Sequence, residues 1–199
     1  KAIAKDGNRL AASEMIIEKK QLNKTSSIVP RKAIQELIRL LDNNEDVVAE
    51  IGLNSIRFTF NGLSFITKLI DGKFPDYNRV IPTNTEINIQ LNGQALKPSL
   101  QRVSILANEK FRGIRLETTG NSLNLSSENP EQEQANETIP LQEKVKKIVV
   151  GFNVSYLIDA VSSCDGNAVC LSLNDENSSA LITSPEDKNT KYVVMPMRL

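Results

Sequence analysis

The residue types that carry most enzyme chemistry are sparse in this chain. It contains no histidine, which removes the commonest general base, the commonest metal ligand and every nucleophile that depends on a histidine partner. The two cysteines, Cys164 and Cys170, lack the CxxC spacing of zinc or redox sites and are too few for a disulfide framework. We interpret both as reduced structural thiols, and the sequence predicts no cofactor and no metal site.

Three aspartates form the acidic grouping that best fits catalysis. Asp6, Asp71 and Asp76 could be imagined as carboxylate ligands for a metal ion in phosphoryl chemistry. Asp6 and Asp71 precede glycine and Asp76 follows proline, and aspartate is expected in such turn contexts for backbone reasons alone. A metal-dependent enzyme is therefore a rival hypothesis with little support.

Charge and length limit the remaining classes of protein. Lys plus Arg total 24 and Asp plus Glu total 24, so any attraction to a polyanion must come from where the charges lie. The 199 residues, 40% of them hydrophobic, fit one large domain or two modest ones. No apolar stretch has the length of a membrane span, and the start does not resemble a signal peptide. We expect a cytoplasmic protein with no membrane partner, and further residues of the same domain upstream.

The elements that must position any site form a repeat. Three segments each contain an apolar strand, an amphipathic helix and three strands joined by tight turns. Their helices begin near Pro30, Gly93 and Asn153. A period of about 61 residues is longer than solenoid repeats and favours paired βαβββ units.

The second copy contains a conflict with the helical pattern. The apolar residues at helical spacing are Leu96, Leu100, Val103 and either Leu106 or Ala107. Pro98 would clash with a backbone carbonyl if this helix began at Gly93. The helix is therefore expected to begin late, near Lys97. Gly120-Asn121 predicts a turn between two strands of this copy, as Asn61-Gly62 does in the first.

Seven short strings carry a resemblance to a known family. They are DGNRLA (6–11), VPRK (29–32), DGKFPDY (71–77), NEKFRG (108–113), NPEQE (129–133), GFNVSY (151–156) and YVVMPMRL (192–199). In this order they resemble the bacterial beta sliding clamps, the beta subunits of DNA polymerase III. The resemblance covers the whole chain.

The resemblance implies an α+β DNA-clamp fold with antiparallel sheets outside and helices lining a central hole. Each domain of the family holds two βαβββ units, and two subunits close head to tail into a ring around double-stranded DNA. Residues 1–80 would be an incomplete middle domain and residues 81–199 the C-terminal domain. The implied function is that of a processivity factor without catalytic activity, bound by DNA polymerases and the clamp loader.

Basic residues on the helices are the first site that the resemblance implies. The residues expected to face DNA are Arg31, Lys32, Arg39, Lys97 and Arg102. Each phosphate contact would add to a salt-dependent attraction that ignores base sequence. The third helix carries Asp159 and Tyr156 and departs from the pattern. The alternative is that these charges are simply solvated.

A pocket for a short partner motif is the second implied site. Matching strings place in it Gly7, Asn8, Arg9, Leu10, Pro75, Arg79, Val80, Asn153, Tyr156, Ser179, Val193, Val194, Met195, Pro196, Met197 and Arg198. Methionine supplies an adaptable apolar surface, and arginine supplies donors for peptide carbonyls. Asn8 replaces the family's usual histidine and Lys5 a usual threonine, so motif preference is open. The alternative is that the terminal strand is ordinary core, which suits Val193 and Val194.

The subunit contact is the third implied site. Ile105 and Leu106 would pack against the neighbouring subunit, flanked by Glu131, Glu133 and Glu137 facing basic residues there. Helical spacing leaves Leu106 equally open to a place in its own domain's core. A second rival for the whole chain is a β-rich peptide-binding or scaffold protein with no connection to DNA.

Overall fold

A computed structural model describes residues 1–16, 25–42 and 46–198. The chain forms two compact units, a larger one of Lys1–Ile17 with Tyr77–Leu199 and a smaller one of Glu18–Asp76. The elements are β1 (Ala2–Lys5), β2 (Arg9–Ser13), α1 (Arg31–Leu40), β3 (Val48–Ile51), β4 (Ser55–Phe60), β5 (Leu63–Lys68), a 3₁₀ turn (Asn78–Val80), β6 (Ile87–Asn92), α2 (Gly93–Ser104), β7 (Gly113–Glu128), β8 (Gln134–Val145), β9 (Val149–Asn153), α3 (Val154–Ser162), β10 (Ala168–Leu173), β11 (Ala180–Thr183) and β12 (Thr190–Val194).

The smaller unit contains α1 and the antiparallel sheet β3-β4-β5. Helix α1 buries Ala33 and Leu37, four residues apart on one face. Asn61 and Gly62 have φ angles of 44° and 73°, the positive values that a two-residue hairpin of type I′ requires. The predicted hairpin is confirmed. The strand expected before α1 amounts to an isolated bridge between Ile28 and Ile70.

A six-stranded antiparallel sheet organises the larger unit, in the order β1-β2-β12-β11-β10-β6. Strand β2, near the start of the chain, pairs with β12 near its end, with Leu10 opposite Val193 and Arg9 opposite Val194. Leu10 and Val193 are buried together with Ala12. Strands β2 and β12 are therefore neighbours in the sheet, although they lie near opposite ends of the sequence.

The second sheet of the larger unit contains β8, β7 and β9. Residues 113–117 of β7 pair with β9, whereas residues 120–128 pair with β8. A straight strand of 16 residues would span about 53 Å, yet Gly113 and Glu128 line one cavity. Strand β7 therefore folds back on itself at Gly120, whose φ is 61°. The turn predicted at Gly120-Asn121 is correct.

Helices α2 and α3 cover one face of these sheets and close the main core. Their starts are alike: Asn92 caps α2 by accepting from the Gln94 amide at 2.8 Å, and Asn153 caps α3. The apolar stripe of α2 ends on Ala107, which is 4% exposed, and Leu106 is half-buried. Helices and antiparallel sheets together make the fold α+β, as predicted.

The expected late start of α2 is wrong. The helix begins at Gly93 and contains Pro98. Asn167 anchors the first turn, since its carbonyl accepts from the Gly93 amide at 2.7 Å and its side chain accepts from that of Gln94 at 2.8 Å. These hydrogen bonds and the Asn92 cap offset the backbone bond that Pro98 cannot make.

Two further classes of feature are absent from the described ranges. No helix there is long and apolar enough to cross a bilayer. No three His, Cys, Asp or Glu side chains there are grouped so that they could hold a metal ion.

Candidate functional site

The segment after β12 leaves its sheet and links the two sheets of the larger unit. The Met195 amide donates to the Asn8 carbonyl at 2.8 Å, and the Met197 amide donates to the Gly151 carbonyl at 2.9 Å. Met197 lies so close to Gly113 that a Cβ atom there would be 3.3 Å from Cε of the methionine. Met195 is 42% exposed. The segment is thus fixed by its backbone and presents a methionine to solvent.

Arg9 occupies the centre of a charged cluster beside this segment. Its Nη1 donates to Oδ2 of Asp159 at 2.6 Å and its Nε to Oδ2 of Asp6 at 3.1 Å. The guanidinium carbon lies 4.3 Å from the ring centre of Tyr156, within cation–π range. The guanidinium is therefore held against the aromatic ring at a fixed position.

The cluster shifts the pKa of both Asp6 and Arg9 towards the charged forms. Partial burial opposes the charge on Asp6, but hydrogen bonds from Asn8 and Arg9 hold its pKa below the ordinary value. Burial likewise opposes the charge on Arg9, but the bonds to Asp159 and Asp6 raise the pKa of the guanidinium. These oxygens of Asp6 are engaged within the protein, which removes support for a catalytic role.

Asn153 and Tyr156 are held at the start of α3. The Asn153 side chain accepts from the backbone amides of Ser155 at 2.9 Å and Tyr156 at 3.3 Å, and it donates to the Phe111 carbonyl at 3.2 Å. This residue is therefore committed to capping the helix. The same hydrogen bonds fix the positions of Tyr156 and of the Phe111 loop.

The remaining predicted pocket residues differ in their exposure. Gly7, Asn8, Arg79 and Arg198 are exposed, Val80, Ser179, Pro196 and Met197 are half-buried, and Leu10, Val193 and Val194 are buried. Val80 packs on the cluster of Leu10 and Val193, so these three side chains belong to one apolar cluster of the larger unit. Pro75 is exposed in the smaller unit.

The basic residues predicted to face DNA are arranged in two ways. Arg31, Lys32 and Arg39 are exposed on α1, with Arg39 only 3.4 Å from Glu36. Lys97 is half-buried on α2. Arg102 makes two hydrogen bonds to Glu137, at 2.6 and 2.8 Å. Two residues that the sequence assigned to different sites are therefore partners in one ion pair.

The predicted subunit-contact residues lie directly after α2, in the turn before β8 and on β8 itself. Ile105 is 77% exposed, so it contributes little to its own core. Glu133 accepts from the Asn129 side chain at 2.7 Å, which holds the turn before β8. The Arg102 hydrogen bond keeps the pKa of Glu137 below its ordinary value, although desolvation opposes it. Glu131 is exposed.

Sequence reasoning missed a cavity of about 570 Å³ in the larger unit. Its lining includes Phe111, Arg115, Ser126, Asn136, Met197 and Arg198. The signal that could have found it is the predicted turn at Gly120-Asn121, because that turn brings Arg115 and Ser126 onto adjacent strand segments.

Comparison with known families gives matches along nearly the whole chain. Residues 78–198 match the family described as DNA polymerase III beta subunit, C-terminal domain. Residues 1–76 match the DNA polymerase III beta subunit, central domain.

Individual relatives agree with these matches. The beta sliding clamp of Pseudomonas putida is 43% identical over 200 residues, which cover 100% of this chain and 54% of the relative. A crystal structure of the DNA polymerase sliding clamp from Pseudomonas aeruginosa with a ligand has a TM-score of 0.94 at 40% identity and covers 99% of this chain and 54% of its own. The same organism's clamp bound to griselimycin has a TM-score of 0.93, 40% identity and the same coverage. The chain thus spans about half the length of these relatives, and the predicted DNA-clamp fold is confirmed.

Proposed function

Because the chain belongs to the DNA polymerase III beta subunit family, we propose that it is part of a sliding clamp, a ring that encircles double-stranded DNA and tethers proteins to it. The observation that carries the proposal is the match of both family domains along the chain. The proposed role is that of a processivity factor without catalysis of its own, acting in the cytoplasm. Residues 1–80 and 81–199 would be its middle and C-terminal domains.

The proposed partner site is the surface around the terminal segment and the Arg9 cluster. Met195 offers an exposed and flexible apolar side chain. Its amide donates to the carbonyl of Asn8, the residue before Arg9, whose guanidinium is fixed by Asp6 and Asp159. A rigid donor next to an adaptable apolar wall suits short peptides that share two or three apolar anchors but differ elsewhere. We propose that DNA polymerases and the clamp loader contain such peptide motifs.

The proposed DNA contacts are electrostatic and weak. Arg31 and Lys32 are exposed on α1, whereas Arg39 lies 3.4 Å from Glu36 and Arg102 binds Glu137. A cation that already binds a carboxylate of its own chain should contribute less to phosphate binding. Retention would then come from encirclement, and weak contacts that ignore base sequence would let the ring slide.

The proposed ring is a head-to-tail homodimer of the full-length protein. In such a contact each subunit contributes two different surfaces. Ile105 is the best candidate for the centre of one surface because it is apolar and 77% exposed. Leu106 beside it and the acids Glu131, Glu133 and Glu137 would form the surrounding contact.

Retention on DNA of different topology tests the proposed function. The full-length clamp would be loaded by its clamp loader onto nicked circular DNA, and half of the sample would then be cut once to make the DNA linear. We expect the clamp to stay on the circle and to leave the linear DNA from its ends. Equal retention on both would refute encirclement. A variant with Ile105→Asp and Leu106→Asp serves as the open-ring control and should be lost from both DNAs.

A further inference from the structure

The cavity of about 570 Å³ lies on the side of the β7–β8 sheet that faces away from the helices. Side chains alternate along a strand, and Ile114 and Leu116 of β7 are buried in the core. Arg115 between them must therefore point to the opposite face, where it lines the cavity together with Asn136 of β8. The volume falls within the range of about 300–1,000 Å³ that is usual for ligand pockets.

The lining combines an apolar wall with positive charge. Phe111 is 56% exposed and forms the wall with Met197. Lys110 lies over the Phe111 ring, with its Nζ 5.3 Å from the ring centre. Among the described residues that line the space are two arginines, Arg115 and Arg198, and one acid, Glu128. The charge of the cavity therefore favours an anionic ligand.

Arg115 retains hydrogen-bonding capacity for such a ligand. A guanidinium has five N–H donors, and within the described part of the chain Arg115 gives a hydrogen bond to Glu117 at 3.3 Å. Glu117 also forms an ion pair with Lys147, whose Nζ lies 3.3 Å from Oε1 of the glutamate. The side chain of Arg115 is 48% exposed, so a carboxylate can reach it from solvent.

The cavity and the proposed partner site share one short chain segment. Met197 and Arg198 line the cavity and follow Met195, whose side chain is exposed and whose amide donates to the Asn8 carbonyl. Two residues of extended chain span at most about 7 Å, so the residues that flank a motif docked at Met195 would lie within reach of the cavity.

We propose that this cavity receives acidic residues that flank the anchoring motif of the same partner peptide. Arg115 binds their carboxylates, Arg198 adds positive charge, and Phe111 packs on the aliphatic part of their side chains. The inference rests on the proposed function, because it assumes that a partner motif binds at the terminal segment. It predicts that the clamp prefers partner peptides with acidic residues beside the apolar anchors.

The expected gain is modest because the charges are exposed. Two unit charges about 5 Å apart in water interact by about 0.8 kcal/mol, which corresponds to about a four-fold change in affinity. The gain should shrink as salt is raised, since the Debye length falls from about 10 Å at 0.1 M to about 3 Å at 1 M ionic strength.

Peptide titration against the full-length clamp tests the inference. The probes are a Gln-Leu-x-Leu-Phe type peptide alone, the same peptide with three aspartates added before or after the motif, and matched peptides with three serines. We expect one of the two aspartate peptides to bind about four-fold tighter than its serine match at low salt. Arg115→Glu should abolish this gain and Arg115→Gln should reduce it, while the affinity of the bare motif stays unchanged.

Arg57→Glu is the matched control, because Arg57 is also an exposed strand arginine beside a glutamate, Glu50 at 3.6 Å, but lies in the smaller unit. It should leave the gain intact. If neither aspartate peptide binds more tightly, or if the gain survives Arg115→Glu, the inference is overturned. If the bare motif does not bind the wild-type clamp, the proposed partner site itself fails, and the inference fails with it.

Discussion

Removal of residues 195–199 from the full-length protein should separate partner binding from folding. Two backbone hydrogen bonds hold the segment, from Met195 to Asn8 and from Met197 to Gly151. Each contributes about 0.5–1.5 kcal/mol net, and the half-buried Met197 side chain adds about 1 kcal/mol. The deletion should therefore destabilise the fold by about 2–4 kcal/mol, less than the usual stability of about 5–15 kcal/mol.

Peptide binding should fall measurably while the protein stays folded. A partner side chain that loses the methionine wall loses about 1.5–3 kcal/mol, which is a fall of about 10- to 150-fold in affinity. Fluorescence anisotropy of a labelled Gln-Leu-x-Leu-Phe type peptide would measure this fall, and a thermal melt of the same sample would report folding. Met195→Ala should show a smaller loss with an unchanged melting temperature.

Leu173→Ala is the matched control for stability. Leu173 is 0% exposed on β10 and was assigned to no site, so its truncation should cost about 2–5 kcal/mol and leave peptide affinity unchanged. Undiminished peptide affinity after the deletion would refute a partner site at this terminus. A Leu173→Ala variant that loses affinity as much as the deletion does would show that binding only follows stability.

Three further predictions concern the ring, DNA and pH. In the full-length protein, Ile105→Asp with Leu106→Asp should give monomers by native mass spectrometry. A dimer that persists would show that the subunit contact lies elsewhere. Lys97→Glu should weaken DNA binding for all sequences alike and make the negative slope of log K against log salt shallower by about 0.9. A change in sequence preference would contradict the proposed DNA contact. Because Arg102 holds the pKa of Glu137 below 4.5, its ordinary value, this pair stabilises the fold above pH 4.5 and stops doing so as the pH falls through the lower folded pKa. Glu137→Gln should therefore flatten the melting temperature against pH in that acidic range, and an unaltered profile would show that the pair contributes nothing.

Local patterns predicted the local structure well. Helical spacing placed Leu96, Leu100 and Val103 in the core, and all three are buried. Asn61-Gly62 and Gly120-Asn121 predicted two chain reversals because both pairs tolerate positive φ. The failure at Pro98 has a non-local cause, since Asn167, 74 residues after Gly93, anchors the early helix start.

Such patterns do not predict contacts between residues that are distant in sequence. Periodicity shows which face of an element is buried but not which element covers it. For this reason Arg102 and Glu137, 35 residues apart, were assigned to separate sites although they bind each other. The cavity was missed for the same reason, because its walls come from a helix–strand loop, two strands and the terminal segment. Only the resemblance to a family brought Arg9 and Tyr156 into one predicted site.

The pairing of β2 with β12 has a consequence for dissecting the protein. A piece that starts at residue 78, where the match to the C-terminal domain begins, would lack residues 9–13 and would leave one side of β12 without its neighbour. The freed backbone groups and the uncovered Val193 would form an open, apolar sheet edge, which is a template for aggregation or for exchange of strands between molecules. A soluble piece must therefore keep residues 9–13, either in place or rejoined after residue 199 through a linker.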